Sequence, residues 1–443
     1  MFKTLKNAWG VPEIRKKILF TLFIILIFRL GSVITVPFLD TATLKSWMSD
    51  TAKGGNFLEY LDILSGGALS KATIFSLGVT PYINASIIIQ LLTYALPPLE
   101  RLQQEGEDGR KKLNTITSFV ALGLSAFMGT AYFLQLRNNA HAVTYTNGGE
   151  GTFAMFVIIL AFMAGSSIVI WLGNRINENG IGNGISMILF AGIVSRIPSD
   201  IGTLIGKYVI PAADEYFIKV VVYLLIFVAM VVGIVFMNEA ERRIPVQYAK
   251  RVVGRKQYGG QNTHIPIKLC MSGVMPIIFA MSFMSLPSMF SLFWPPVQQI
   301  TNTTTGGQKF WFNFVKFFGT QSYSYAAIYF VLIILFNYFY VAIQYNPVEM
   351  ANNLRQSNGG IPGIRPGKPT SDYIQRVLSK ISLVGAVFLG IVAVFPIIFL
   401  RLTNINVSSM GGTSILIVVS VAIETVRTLE SQLMMRHHKG FLG

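Results

Sequence analysis

An all-α polytopic membrane protein with ten transmembrane helices is the fold class this sequence predicts, on three observations. The 443 residues are 52% hydrophobic with a mean hydropathy of +0.55, and only 13% are charged, about half the share usual in soluble domains. Ten mostly apolar runs can be drawn, at 17–35, 73–96, 115–136, 153–173, 184–206, 216–238, 268–294, 322–344, 377–400 and 411–430. Each has about the 20 residues needed to cross a bilayer. The basic residues then alternate between the connections: 25 of the 36 Lys and Arg fall on the side of the N-terminus and ten on the other, with Arg29 inside the first run. That asymmetry places both termini in the cytoplasm, and adding or removing one span would scramble it.

The same composition narrows the function classes. A net charge of +16 in so apolar a chain points to basic cytoplasmic loops rather than to a nucleic-acid enzyme. The single Cys270 excludes a disulfide within the chain and a cysteine-based metal site. His141, His264, His437 and His438 have no ligand spacing beyond the adjacent pair in the tail.

Along the chain, the first run follows Arg15, Lys16 and Lys17 like a signal peptide. It lacks a small-residue cleavage site, so it is expected to stay as the first helix. Residues 57–72, FLEYLDILSGGALSKA, are too short to span and are broken at Gly66-Gly67. They read as a half-helix re-entering from the non-cytoplasmic side, or as an interfacial helix on the outer surface. Residues 73–92 read as a spanning helix carrying Gly78, Pro81, Asn84 and Gln90. Polar groups and a helix breaker are tolerated at that depth where the helix faces protein or a water-filled cavity, so this span resembles the wall of a pathway. A kink in an ordinary bundle would use the same residues.

Two cytoplasmic connections are longer than a helix–helix link requires. In 239–268, alternation of apolar and polar residues around Gly254 predicts a strand-turn-strand projection. In 345–380, the Gly- and Pro-rich NGGIPGIRPGKPT predicts a shaped loop presenting Arg365. No internal repeat is evident, although five plus five helices would give two parts of opposite topology.

The spans are nearly free of ionisable groups, which cost at least about 2.5–3.5 kcal/mol each at mid-bilayer. There is no HExxH, no GxxxxGK[ST], and no nucleophile with a nearby base. An enzyme is not expected. An ion-coupled secondary transporter of small solutes remains the alternative. What the spans offer is aliphatic: Val79 and Ile83 one turn apart, Leu189 after GNGIS, Ile278 after Pro276, and Ile417 after GGTS. A ring of such side chains would exclude ions by dewetting and still deform; core packing would use them equally.

At this point the sequence resembles the SecY family, the channel subunits of the bacterial protein translocase. Five motifs carry the resemblance, in order: TIFSLGVTPYINASIIIQLL, GNGIS, ERRIPVQYAKR with QNTHIPIKLCMSGVMPIIFA, NGGIPGIRPGKPT, and GGTSILIVV. Val79 and Leu189 stand where the family often has isoleucine. The resemblance implies two five-helix halves of inverted topology, 1–206 and 207–443, around an hourglass pore in the bacterial plasma membrane. It implies a pore ring of Val79, Ile83, Leu189, Ile278 and Ile417. A plug would lie at about 60–72, including Leu64, Ser65, Gly66 and Gly67. The second and seventh helices would form a lateral gate, with Asn84 at the seam. Arg242, Arg243, Lys250, Arg251, Arg255, Lys256 and Arg365 would dock the ribosome or the motor ATPase SecA. Small SecE-like and SecG-like subunits are implied as partners, with signal sequences, nascent polypeptides and membrane lipid. No cofactor or metal is implied. The implied activity is conduction of unfolded secretory chains across, and of membrane segments laterally into, the bilayer.

Overall fold

A computed structural model describes residues 7–51, 57–138, 140–145, 148–206, 214–248, 251–253, 256–258, 262–294, 306–319, 322–403 and 412–439. The chain is predominantly helical. The first half of the sequence gives α1 (Pro12–Gly31), α2 (Thr41–Thr51), α3 (Phe57–Leu64), α4 (Thr80–Ala95), α5 (Pro97–Gln104), α6 (Glu107–Asn138), α7 (Gly148–Asn179) and α8 (Gly184–Leu204). Then come α9 (Asp214–Glu239), β1 (Glu241–Tyr248), β2 (Arg251–Val253), β3 (Lys256–Tyr258), β4 (Asn262–Lys268), α10 (Met275–Phe293), α11 (Gly306–Phe317) and α12 (Tyr323–Gln344). The last elements are α13 (Pro347–Gln356), β5 (Gly359–Gly360), α14 (Lys368–Thr403) and α15 (Gly412–Lys439).

A helix lies in every predicted span. Among the described residues six are long and apolar enough to cross a membrane, or seven if α4 and α5, bent by 101° at Leu96, count as one. Their surfaces suit lipid. Helix α1 buries Ile14, Thr21, Ile24 and Phe28 along one face, while Leu22, Phe23, Leu26 and Leu30 on the other are all more than half exposed. Helix α9 exposes Leu225, Val228, Val232 and Phe236. In water such stripes would drive aggregation; against acyl chains they are the favourable face. Between α1 and α2, Asp40 accepts hydrogen bonds from the Thr43 hydroxyl and the Ala42 amide, which hold its carboxyl below the usual range.

Two spans are not helical throughout. The run at 73–96 starts as turns, and its helix begins only at Thr80. Pro81 lies in the first turn of α4, where its missing N–H goes unmissed, so it starts a helix instead of breaking one. The run at 268–294 likewise becomes helical only at Met275, with Pro276 in the first turn. Before each start the chain reverses through a left-handed glycine, Gly78 (φ 53°) or Gly273 (φ 59°), a conformation glycine adopts without steric cost. Each unwound stretch also rests on a helical glycine. A Cβ on Gly165 of α7 would lie 1.9 Å from the Ile74 carbonyl oxygen, and one on Gly385 of α14 would lie 2.6 Å from that of Leu269. Ile74 and Leu269 both precede their left-handed glycine by four residues. A short structural repeat is therefore present that is not evident from the sequence.

The predicted strand-turn-strand is present. β1 pairs antiparallel with β4 from Glu241↔Lys268 to Gln247↔Asn262, and β2 pairs with β3. The second long connection differs from the loop expected at 345–380. It contains α13, then β5, and the following helix already begins at Lys368. β5 adds to β1 through Gln247↔Gly360 and Tyr248↔Gly359. Ile244 and Val246 of β1, Ile267 of β4, Leu354 of α13, Ile361, and Ile374 and Leu378 of α14 share one buried cluster. The two connections thus form a single small unit.

Candidate functional site

The five aliphatic positions come from four helices and meet in one apolar cluster. Val79 and Ile83 stand at the start of α4, Leu189 on α8 and Ile417 on α15; all four are buried, and the half-buried Ile278 of α10 packs against them. The local sequence explains where the helices that carry them start. Asn183 caps α8 by accepting from the Ile185 and Ser186 amides, fixing the helix start five residues before Leu189. On α4 and α10 the glycine–proline entries fix the starts, and Ile83 and Ile278 each follow their left-handed glycine by five positions.

A cavity of about 620 Å3 is lined by Leu189, Ile278 and Ile417 and also by Lys268, Glu424 and Arg427. Arg427 donates to the Asn238 carbonyl and to the Glu239 carboxylate, each at 2.9 Å. The lining therefore combines aliphatic and charged side chains.

Helix α3 and the turns after it pack against the same cluster. Leu61, Asp62, Ile63, Leu64 and Ser65 are all buried, and α3 contacts α8 and α10. Ile63 and Leu64 belong to the same cluster as Val79, Ile83 and Leu189. Residues 61–65 are thus packed against the bundle. Gly66 (φ 69°) and Gly67 (φ 84°) end the helix, and the Gly67 amide donates to the Asp62 carbonyl at 2.8 Å. Backbone approach is close here: a Cβ on Gly192 of α8 would lie 2.9 Å from the Leu64 carbonyl oxygen. Tyr132 of α6 donates to the Leu69 carbonyl at 2.8 Å, and Arg29 of α1 donates to the Gly66 carbonyl at 3.4 Å.

Asn84 follows Ile83 on α4, a helix in contact with α10. Its Oδ1 is buried and accepts no hydrogen bond from the described residues. Of the basic residues singled out, Arg242 and Arg365 are exposed, and Arg243 is exposed but has Nε 2.7 Å from the Glu241 carboxylate. Arg251 and Lys256 fall on the short strands β2 and β3; Lys250 and Arg255 lie outside the described residues.

One pair escapes the sequence reading. Arg196, counted there with the charges of an outer connection, lies within α8, and its guanidinium bonds the carboxylate of Asp62. A charge inside a predicted span was the available signal; the partner, 134 residues away in sequence, has none.

The comparisons with known proteins agree with this geometry. A family model described as SecY matches residues 73–426. The chain is 38% identical over 455 residues to the protein translocase subunit SecY of Mycobacterium bovis and 40% identical over 449 residues to that of Bacillus licheniformis, each over 100% of both chains. Among solved structures, one described as the structure of a protein conducting channel matches with a TM-score of 0.63 at 16% identity over 96% of each chain. Sec61 in the canine ribosome-channel complex matches with a TM-score of 0.58 at 15% identity over 96% of each chain. Those two likenesses speak for the fold. The family model spans most of the sequence and the relatives align over its full length: this chain belongs to the SecY family.

Proposed function

We propose that the chain is a protein-conducting channel that passes unfolded secretory polypeptides across a membrane and releases membrane segments sideways into it. The observation that carries this reading is that the five aliphatic residues, from four helices, share one buried apolar cluster with Ile63 and Leu64 of α3, and that three of them line a cavity. An oily constriction resists ions by dewetting, and side chains held by dispersion alone can part for a large guest. The chain is a conduit and not an enzyme; its energy would come from translation or from ATP hydrolysis by SecA.

In this reading residues 1–206 and 207–443 are two halves around the pore. The five aliphatic residues are its ring, and 60–72 its plug. Helices α4 and α10 part as a lateral gate, with the unpartnered Asn84 amide oxygen at the seam. Sideways release is then a partition settled by a few kcal/mol over about 20 residues. Arg242 and Arg365 on the strand-bearing projection would meet the ribosome or SecA, and Arg243, Lys250, Arg251, Arg255 and Lys256 are assigned the same role from the family motif. The canine relative is described as a ribosome-channel complex, and phosphate-rich RNA attracts basic projections non-specifically. SecE-like and SecG-like subunits would complete the channel in the bacterial plasma membrane, with both termini cytoplasmic.

The test is electrical. Ile83→Ser combined with Ile278→Ser should make the resting pore leak ions in planar bilayers; unchanged conductance would remove the ring assignment. Arg365→Glu should lower SecA-driven export without lowering the amount of folded protein, and normal preprotein-stimulated ATPase activity would remove that role.

A further inference from the structure

We propose that Asp62 and Arg196 form a charge latch that sets how readily the plug leaves the pore; this rests on the plug reading above. The two charges meet across elements that are otherwise joined mostly by apolar contact. Asp62 is in α3, and its side chain is 6% exposed; Arg196 is on α8, and its side chain is 24% exposed. The carboxylate is used twice. Oδ2 takes the guanidinium, and Oδ1 accepts the Ser70 amide at 2.7 Å. One oxygen therefore shapes the loop 62–70 and the other ties that loop to the wall. A second guanidinium, on Arg29 of α1, donates to the Gly66 carbonyl of the same loop.

These contacts differ from the apolar ones around them in what opening does to them. Ile63 and Leu64 leaving the cluster would exchange its apolar contacts for contact with a passing apolar segment. The ion pair has no such substitute: withdrawal of the plug separates the charges, and each must then be solvated or paired elsewhere. The latch thus adds a barrier that an apolar guest does not lower, and it biases the resting channel toward closed.

The burial difference predicts an asymmetry between variants. Removing the guanidinium strands a nearly buried carboxylate. Removing the charge of Asp62 leaves a guanidinium that already reaches solvent. Asp62→Asn also keeps an Oδ1 acceptor for Ser70, so it tests the ion pair with the loop intact.

The experiment uses the full chain reconstituted in planar bilayers with potassium chloride, reading resting conductance before any polypeptide is added. Arg196→Gln should raise it most, about ten-fold, equivalent to a shift of about 1.4 kcal/mol in the closed-to-open balance. Asp62→Asn should raise it less, and Arg196→Lys should leave it near the starting level. Should Arg196→Gln fail to accumulate, Asp62→Asn decides alone. A channel deleted for 60–72 separates the two readings. If the deletion leaks while Asp62→Asn and Arg196→Gln stay tight, the latch is wrong and the plug stands. If the deletion is tight as well, the plug reading falls and the latch with it. An Arg196→Lys variant as leaky as Arg196→Gln would likewise overturn the latch.

Discussion

Residues 74–83 and 269–278 perform the same manoeuvre from different directions. Each runs unwound against a glycine of a long helix, reverses at a left-handed glycine, and starts a helix with proline in its first turn. The residues leading into the two helices even share a backbone geometry, Val79 at φ −91°, ψ −8° and Val274 at φ −88°, ψ −14°. What feeds them differs. The first is entered from the turns that follow α3 and ends with Ile83 buried; the second is entered from β4 and ends with Ile278 half-buried in the lining of the cavity. The lesson is that one local device can deliver a helix start into an apolar cluster whatever precedes it, and that the neighbours decide whether the delivered side chain is covered or lines open space.

The largest test of this equivalence is at the supporting glycines. Gly165→Ala should destabilise by about 3 kcal/mol, near the top of the range for over-filling a packed site, because the obstacle is backbone. Gly385→Ala, with 0.7 Å more room (2.6 against 1.9 Å), should lose about 1–2 kcal/mol. Thermal unfolding in detergent checks both, and equal losses would mean the two sites relax differently from what their geometry implies. Next come the left-handed glycines. Gly78→Ala and Gly273→Ala should each lose about 1–2 kcal/mol from forcing a Cβ into that region, and by similar amounts, since neither added Cβ would approach another atom closer than 3.5 Å. A loss at one site only would break the comparison. The smallest effect is expected from Pro81→Ala and Pro276→Ala. Each should lose about 0.4–1 kcal/mol, as the unfolded chain gains freedom while the helix start persists.

Much of this architecture was legible. Apolar runs of spanning length marked where helices would lie. Alternating residues around Gly254 announced the strand pair, because a period of two is imposed by the backbone itself. The unwound stretches were not legible, since TIFSLGV is as apolar as a helix interior. The punctuation was there in Gly78 and Pro81, but a proline three residues after a glycine can either break a helix or begin one. The five aliphatic positions were placed by family motif, while their convergence depends on helix rotations that no apolar pattern specifies. The joint core of the two long connections was hidden for another reason: Tyr248 and Gly359 pair across more than a hundred intervening residues. Asp62 and Arg196 were hidden in the same way, one passing for the polar face of a short helix and the other for a loop charge.

The shared core of those two connections has a mechanical consequence. Because β5 is hydrogen-bonded to β1, and Ile361 just after it shares a buried cluster with β1 and α14, a load placed on Arg365 is borne at once by the strand whose partner, β4, runs into Leu269. Leu269 donates its amide to the Ala240 carbonyl at 2.9 Å and lies against Gly385. Whatever grips the projection therefore holds a stiff handle whose shaft ends at the root of α10, and a tilt applied outside the bilayer is delivered there as torque.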